Sequence, residues 1–175
     1  MKIGKRQFDM KNHGYIMGIL NVTPDSFSDG GRYTRLDAAL KHAEQMLGEG
    51  ADIIDVGGES NRPGHEKITV DEEIERTAPV IEALKREFDP VISLDTYKWQ
   101  VAEEGIRAGA DMINDIWGLK GDGKMAPLLA REGLPACLMH NRKNTDYKNF
   151  LSDVIKDLRE TMQTAGEAGM RKEQI

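Results

Sequence analysis

The stretch Gly50-Ala-Asp-Ile-Ile-Asp-Val56 returns almost unchanged as Gly109-Ala-Asp-Met-Ile-Asn-Asp115. Each copy sets a glycine where a helix would end, then Ala-Asp, then a short apolar run suited to a strand. Repetition of this kind is what a chain assembled from βα units produces.

Working outward from the two copies, further apolar runs stand at Tyr15–Leu20, Val91–Leu94 and Ala136–Met139, beside Asp52–Val56 and Met112–Ile116. None alternates polar with apolar, which predicts strands buried on both faces of a parallel sheet. Between them lie predicted helices. One covers 34–47, with Thr34 and Asp37 as a capping box and Leu36, Ala39, Leu40 and Ala43 on one face. Another starts at the capping sequence Thr69-Val-Asp-Glu72, and Pro79 predicts a kink or restart inside it. Others cover about 97–108, 124–132 and 149–168, with Gly169 placed for a C-terminal cap. This rhythm fits an open doubly wound sheet or a closed barrel. No G-x-G-x-x-G or Walker sequence follows a strand, which weighs against nucleotide binding. A complete eight-stranded barrel takes ~250 residues, so five units in 175 residues are either part of a barrel or a smaller open sheet.

Hydrophobic residues at 39% and charged residues at 31% exclude a disordered or membrane composition. A net charge of −6 without a basic stripe argues against general nucleic-acid binding. The single cysteine, Cys137, excludes a disulfide framework within one chain and is expected to be inert and buried in its strand. The start of the chain lacks the apolar run of a secretory signal and no stretch is long enough to span a membrane, so a cytoplasmic protein is expected.

In parallel β/α folds the chemistry lies at the carboxyl ends of strands. The first predicted strand runs into Asn21-Val-Thr-Pro-Asp-Ser-Phe-Ser-Asp-Gly-Gly31, and the second into Gly57-Gly-Glu-Ser-Asn-Arg-Pro-Gly64. The later ones end in Asp95-Thr96, Asn114-Asp115 and Met139-His-Asn-Arg142. Loop one is ordinary turn chemistry in composition. Yet Asn21 leaves an apolar strand directly with Asp25 four residues on, and such oxygen ligands suit a magnesium ion that keeps its waters and bridges to phosphate. In loop two the glycines permit close backbone approach and Arg62 offers a planar fork for an anion. Asp95 could cap the next helix, although Thr96 is better placed for that, and a strand-end carboxylate suits a ligand rich in N–H donors. His140 is a lone histidine and receives no chemical role, while His13, His42 and His65 lack metal-ligand spacing.

At these residues the chain resembles the dihydropteroate synthase family. Met17–Gly31 is similar to the family's first signature along its whole length, and Gly50–Ser60 with Arg62-Pro63-Gly64 to the second. Ser93–Lys98, Ile113–Gly118 and Leu138–Asn141 resemble later strand ends. The resemblance implies an α/β fold, a partial (β/α)8 TIM barrel with about five βα units and the C-terminal units missing, so that residues 1–175 form one truncated pterin-binding domain. It also implies the reaction: 6-hydroxymethyl-7,8-dihydropterin diphosphate condenses with p-aminobenzoate to give dihydropteroate and diphosphate in folate biosynthesis. Asp95 and Asn21 would be catalytic, and Asn21 would meet the diphosphate and Mg2+. Asp95 and Asn114 would bind the edges of the pterin, and Met139 would lie on its face. Asp25, Phe27, Arg62 and Pro63 would form the p-aminobenzoate pocket.

Asn61 departs from the threonine usual in the family, which implies altered substrate or sulfonamide affinity. The family's sixth-strand Asp-Pro-Gly, a later lysine and a C-terminal basic element are not in these residues, so the chain alone is expected to be inactive. Family homodimers use C-terminal helices likewise outside them. The rival readings are a pterin- or folate-binding barrel of a corrinoid methyltransferase system and a non-catalytic pterin-binding fragment.

Overall fold

A computed structural model of the chain describes residues 1–23, 32–60 and 67–175. Both copies of the Gly-Ala-Asp repeat make the same pair of hydrogen bonds. Gly50 and Gly109 turn the chain out of a helix with φ of 104° and 115°, the left-handed region that glycine enters without a side-chain penalty. The Asp52 N–H then donates to the Ile16 carbonyl at 2.8 Å, and Asp52 Oδ2 accepts from the Ile16 N–H at 2.9 Å. Asp111 treats Ile92 identically, at 2.8 and 2.9 Å. Each repeat therefore fixes where its strand begins against the strand before it.

A short hairpin, β1 (Lys2–Ile3) and β2 (Arg6–Gln7), precedes the repeating units. The units are β3 (Met17–Asn21), α1 (Arg32–Gly48), β4 (Ile53–Gly57), α2 (Val70–Glu87), β5 (Val91–Asp95), α3 (Trp99–Ala108), β6 (Met112–Asp115), α4 (Met125–Glu132), β7 (Ala136–Leu138) and α5 (Phe150–Glu167). A 3-10 turn follows at Lys172–Gln174. The large sheet is parallel and its order is β3-β4-β5-β6-β7, the order of the chain. A doubly wound sheet reverses its strand order at a switch point. Unbroken order is that of a barrel wall, and it decides between the two architectures.

The two faces of the sheet differ accordingly. Leu20, Ile54, Val56, Ile92, Leu94 and Ile113 point outward into a core shared with Ala39, Ala43, Ile81, Leu84, Val101 and Leu129 of the helices. The inner face carries Ile53, Val91 and Met112 near its amino end, where Ile3 and Phe8 of the hairpin cover them. Expected burial on both faces therefore holds for the interior strand β4 but not for β3, the first strand of the described sheet, where Ile19 is 63% exposed.

Two helix expectations shift. Helix α1 begins at Arg32, so Thr34 lies inside it rather than at its cap. Thr69 does cap α2, its hydroxyl accepting from the Glu72 N–H at 3.2 Å, but the helix runs through Pro79 unbroken. A helix-interior proline costs about 3 kcal/mol. Val80, Ile81 and Leu84, all buried just beyond it, return about 1.5–3 kcal/mol each only if the helix continues.

Asp111 also accepts an ion pair from Lys85 Nζ at 2.6 Å. Asp111→Ala strips the acceptor from Ile92 and the partner from half-buried Lys85, and is expected to lower the unfolding free energy by about 1–3 kcal/mol in urea titrations.

Candidate active site

The register of the parallel sheet gathers the strand ends into one row. Asn21 pairs with Gly57, Gly57 with Asp95, Asp95 with Asn114, and Asn114 with Cys137. Side chains alternate between faces along a strand, so this row sits on the inner face, two residues above the next row, where Asp55 faces Ser93. Four residues far apart in sequence thus line the carboxyl end of the sheet around a glycine. A β-carbon added at Gly57 would lie 3.5 Å from Asn21 Oδ1 and 3.6 Å from Asp95 Oδ2. The glycine leaves a cradle with an amide oxygen on one side and a carboxylate oxygen on the other. Hydrogen bonds carry the ladder past the strands, from the Val22 N–H to the Gly57 carbonyl and from the Thr96 N–H to the Asn114 carbonyl.

Below Asn114, Asp55 accepts from its Nδ2 at 3.2 Å. Burial raises the Asp55 pKa, opposed by the neighbouring Ser93 hydroxyl and the Asn114 amide. Asp115, on the outward side, is buried and accepts from the Trp117 and Leu119 N–H groups, both at 2.8 Å. Burial raises its pKa too, and those backbone bonds oppose the rise. Its role is to hold the turn after β6, where Gly118 adopts a φ of 58° against the Met139 carbonyl.

A buried ionic cluster ties down the start of loop two. Lys98 Nζ donates to Glu59 Oε2 and Glu73 Oε2, both at 2.6 Å, and to the Ile68 carbonyl at 2.8 Å. Burial alone would lower the Lys98 pKa, but the two carboxylates more than reverse it and the group is held charged. Tyr97 Oη donates to Glu59 Oε1 at 3.0 Å, and burial followed by the Glu59 bond pushes the phenol's pKa up. Thr96 is not the cap of α3; its hydroxyl accepts from the Lys98 N–H at 3.2 Å, and the helix starts at Trp99. Lys98 lies just before α3 and Glu73 on α2, and only their approach in the fold reveals the cluster.

The remaining sequence-derived residues fall out as follows. Asn21, Asp95 and Asn114 share the row. Met139 follows β7 at 46% exposure, held by its N–H to the Asp115 carbonyl at 3.2 Å. Asp25, Phe27, Asn61, Arg62 and Pro63 lie outside the described residues. Cys137, expected to be buried, is exposed instead, because β7 ends the described sheet and its inner side stays open. Although the residue is exposed, its sulfur is partly shielded from water, and this shielding and the Asp55 charge raise the thiol's pKa, so it is a poor nucleophile. His140 Nε2 meets Asp157 at 2.9 Å, beside a bidentate Arg142 at 2.5 and 3.0 Å. Those contacts hold the Asp157 carboxyl well below the usual carboxylate range and pin the segment after β7 to α5.

Among the described residues no group of three His, Cys, Asp or Glu side chains could hold a metal. A dedicated protein cage is therefore not formed by them. The cradle at Gly57, with one amide oxygen from Asn21, suits a hydrated Mg2+ whose other ligands come from a phosphorylated ligand. No described helix is long and apolar enough to cross a membrane.

Parallel strands in chain order, helices on the outside and a polar row at the carboxyl ends define a ligand-binding β/α barrel segment. Residues 17–175 match the model of a family described as pterin binding enzyme, and the chain belongs to that family. It is 54% identical to a dihydropteroate synthase of Clostridium beijerinckii, over all of this chain and 65% of the relative. A solved dihydropteroate synthase of Clostridium difficile, in the presence of pteroic acid, superposes with a TM-score of 0.93 at 48% identity, covering 97% of this chain and 65% of that one. Another, from Xanthomonas albilineans with 4-aminobenzoic acid, gives 0.86 at 40% identity, covering 93% and 60%. The chain thus spans less than two thirds of the length of these relatives.

Lys98→Met removes the cation that buried Glu59 and Glu73 share, and the expected loss is about 3–5 kcal/mol of stability. Chemical denaturation of the variant beside the parent protein reads it directly.

Proposed function

We propose that the protein is a dihydropteroate synthase, joining 6-hydroxymethyl-7,8-dihydropterin diphosphate to p-aminobenzoate with release of diphosphate. The observation that carries this reading is the single row of Asn21, Gly57, Asp95 and Asn114. Asp95 and Asn114 stand side by side as a carboxylate and an amide, a pair that can match the donors and acceptors along the edge of an aminopyrimidinone ring. Asn21 stands across the glycine cradle from Asp95, so a ligand held by its ring at Asp95 and Asn114 can extend its phosphates toward Asn21. The relatives' names and their solution with pteroic acid and 4-aminobenzoic acid support the same substrates here.

In the reaction the bond from the pterin methylene carbon to the diphosphate oxygen breaks, the carbon–nitrogen bond to the aromatic amine forms, and the amine gives up a proton to the released diphosphate or to solvent. Bound Mg2+ would offset the charge of the departing diphosphate. The protein's own part is electrostatic and positional. The Asp95 carboxylate, held in the row beside Asn114, would stabilise the positive charge that develops on the pterin as the leaving group departs. Asn114 holds the ring in place and Asn21 orients the phosphate end. No side-chain nucleophile is needed.

The test uses protein from the complete reading frame, with pterin diphosphate, Mg2+ and p-aminobenzoate. Dihydropteroate and diphosphate should appear in equal amounts, and diphosphate release should require the amine. Asp95→Asn should lower kcat/KM by about two orders of magnitude. Methyl transfer from a methylated folate, with no diphosphate chemistry, would favour the corrinoid methyltransferase reading instead.

A further inference from the structure

Asp55 stands out on the inner face as a buried carboxyl within an otherwise apolar strand. It is 5% exposed, and the described influences on its carboxyl are burial, Ser93 and Asn114, with no cation among them. Its Oδ1 and the Ser93 Oγ are both buried and neither has a partner in hydrogen-bond geometry, although the two residues face each other in the sheet register. Burying a carboxyl with so few partners is expensive, and an apolar side chain would pack the row below the pocket at lower cost.

What the carboxyl does accomplish is directional. A side-chain amide offers donors on one end and an acceptor on the other. Asp55 Oδ2 accepts from Asn114 Nδ2 at 3.2 Å, which turns that end downward and leaves Asn114 Oδ1 for the pocket. Protonation on Oδ1 would leave Oδ2 an acceptor, so the orientation survives neutralisation of the acid. Above it, the neighbouring Asp95 is an acceptor as well.

We propose that Asp55 is a positioning residue that fixes the amide of Asn114, so that the pocket presents two adjacent acceptors and selects a heterocycle edge carrying two donors. This rests on the pterin reading of the site and adds to it the origin of its selectivity. The 2-amino-4-oxo ring has such an edge; a 2,4-dioxo ring, which replaces the amino donor by a carbonyl acceptor, does not.

The test compares binding of 6-hydroxymethylpterin and 6-hydroxymethyllumazine by calorimetry, using protein from the complete reading frame. The parent should prefer the pterin by at least about 100-fold. In Asp55→Asn the partner of Asn114 can itself donate or accept, so the amide can turn and offer Nδ2 to the lumazine carbonyl. The preference should fall about tenfold or more, chiefly through tighter lumazine binding and weaker pterin binding. Asp55→Ser, which removes the carboxylate with a smaller side chain, should act in the same direction and serves if the asparagine variant does not fold. Ser93→Ala leaves the Asn114 bond in place and should keep the parental preference. An unchanged ratio in folded Asp55 variants, or equal loss of both ligands, would overturn the positioning role while leaving the pterin site intact. A parent protein that binds neither ring would overturn the pterin reading and this inference with it.

Discussion

In-step pairing of five parallel strands is the constraint on which the site depends. Because consecutive strands pair without a reversal of order, residues at equal depth fall into rows across the inner face. Asn21, Gly57, Asp95 and Asn114 belong together only through that register. A slip of one residue in any strand would turn its member of the row outward, into the helices. The two Gly-Ala-Asp turns guard against that slip. Asp52 and Asp111 each bind both the N–H and the carbonyl of one residue at the start of the preceding strand or just before it, using a carboxylate and a backbone amide.

Polar groups under the site are held by a second set of constraints. Lys98 is shared between Glu59, just past β4, and Glu73, on α2, while Asp115 satisfies two backbone N–H groups after β6. Buried charges of this kind contribute little to net stability but strongly penalise any arrangement that separates them. They therefore fix the geometry of the strand ends more than they strengthen the fold. The amino end of the sheet is treated differently: there Ile3 and Phe8 cover its inner face with apolar contact. The division follows the usual polarity of β/α barrels, with function at one end and stability at the other.

Much of this was legible in the residues themselves. The five parallel strands and five helices lie close to where apolar runs and helical periodicity predict them, Thr69 caps α2 as expected, and Asn21, Asp95 and Asn114 stand at strand ends as expected. Other features depend on contacts that no local pattern encodes. The opening hairpin escapes notice because its strands are two residues each and only Ile3 and Phe8 face inward. Pro79 reads as a kink or restart because its local cost is visible, whereas the burial of Val80, Ile81 and Leu84 that outweighs it depends on the sheet beneath. Asp55 sits in the middle of an apolar run and looks like part of the strand. Only the register, which sets it under Asn114, gives it a task. Cys137 looks buried for a similar reason: its neighbours in sequence are apolar, but its exposure is decided by what lies beside β7.

A crystal structure of the protein from its complete reading frame with pteroic acid tests the central claim most directly. The row of strand ends predicts the pterin edge within about 3.2 Å of the Asp95 and Asn114 side chains, with its substituent directed past Gly57. A ring bound elsewhere, such as between the helices or against the Ile3–Phe8 hairpin, with Asp95 and Asn114 making no contact to it, would contradict the account.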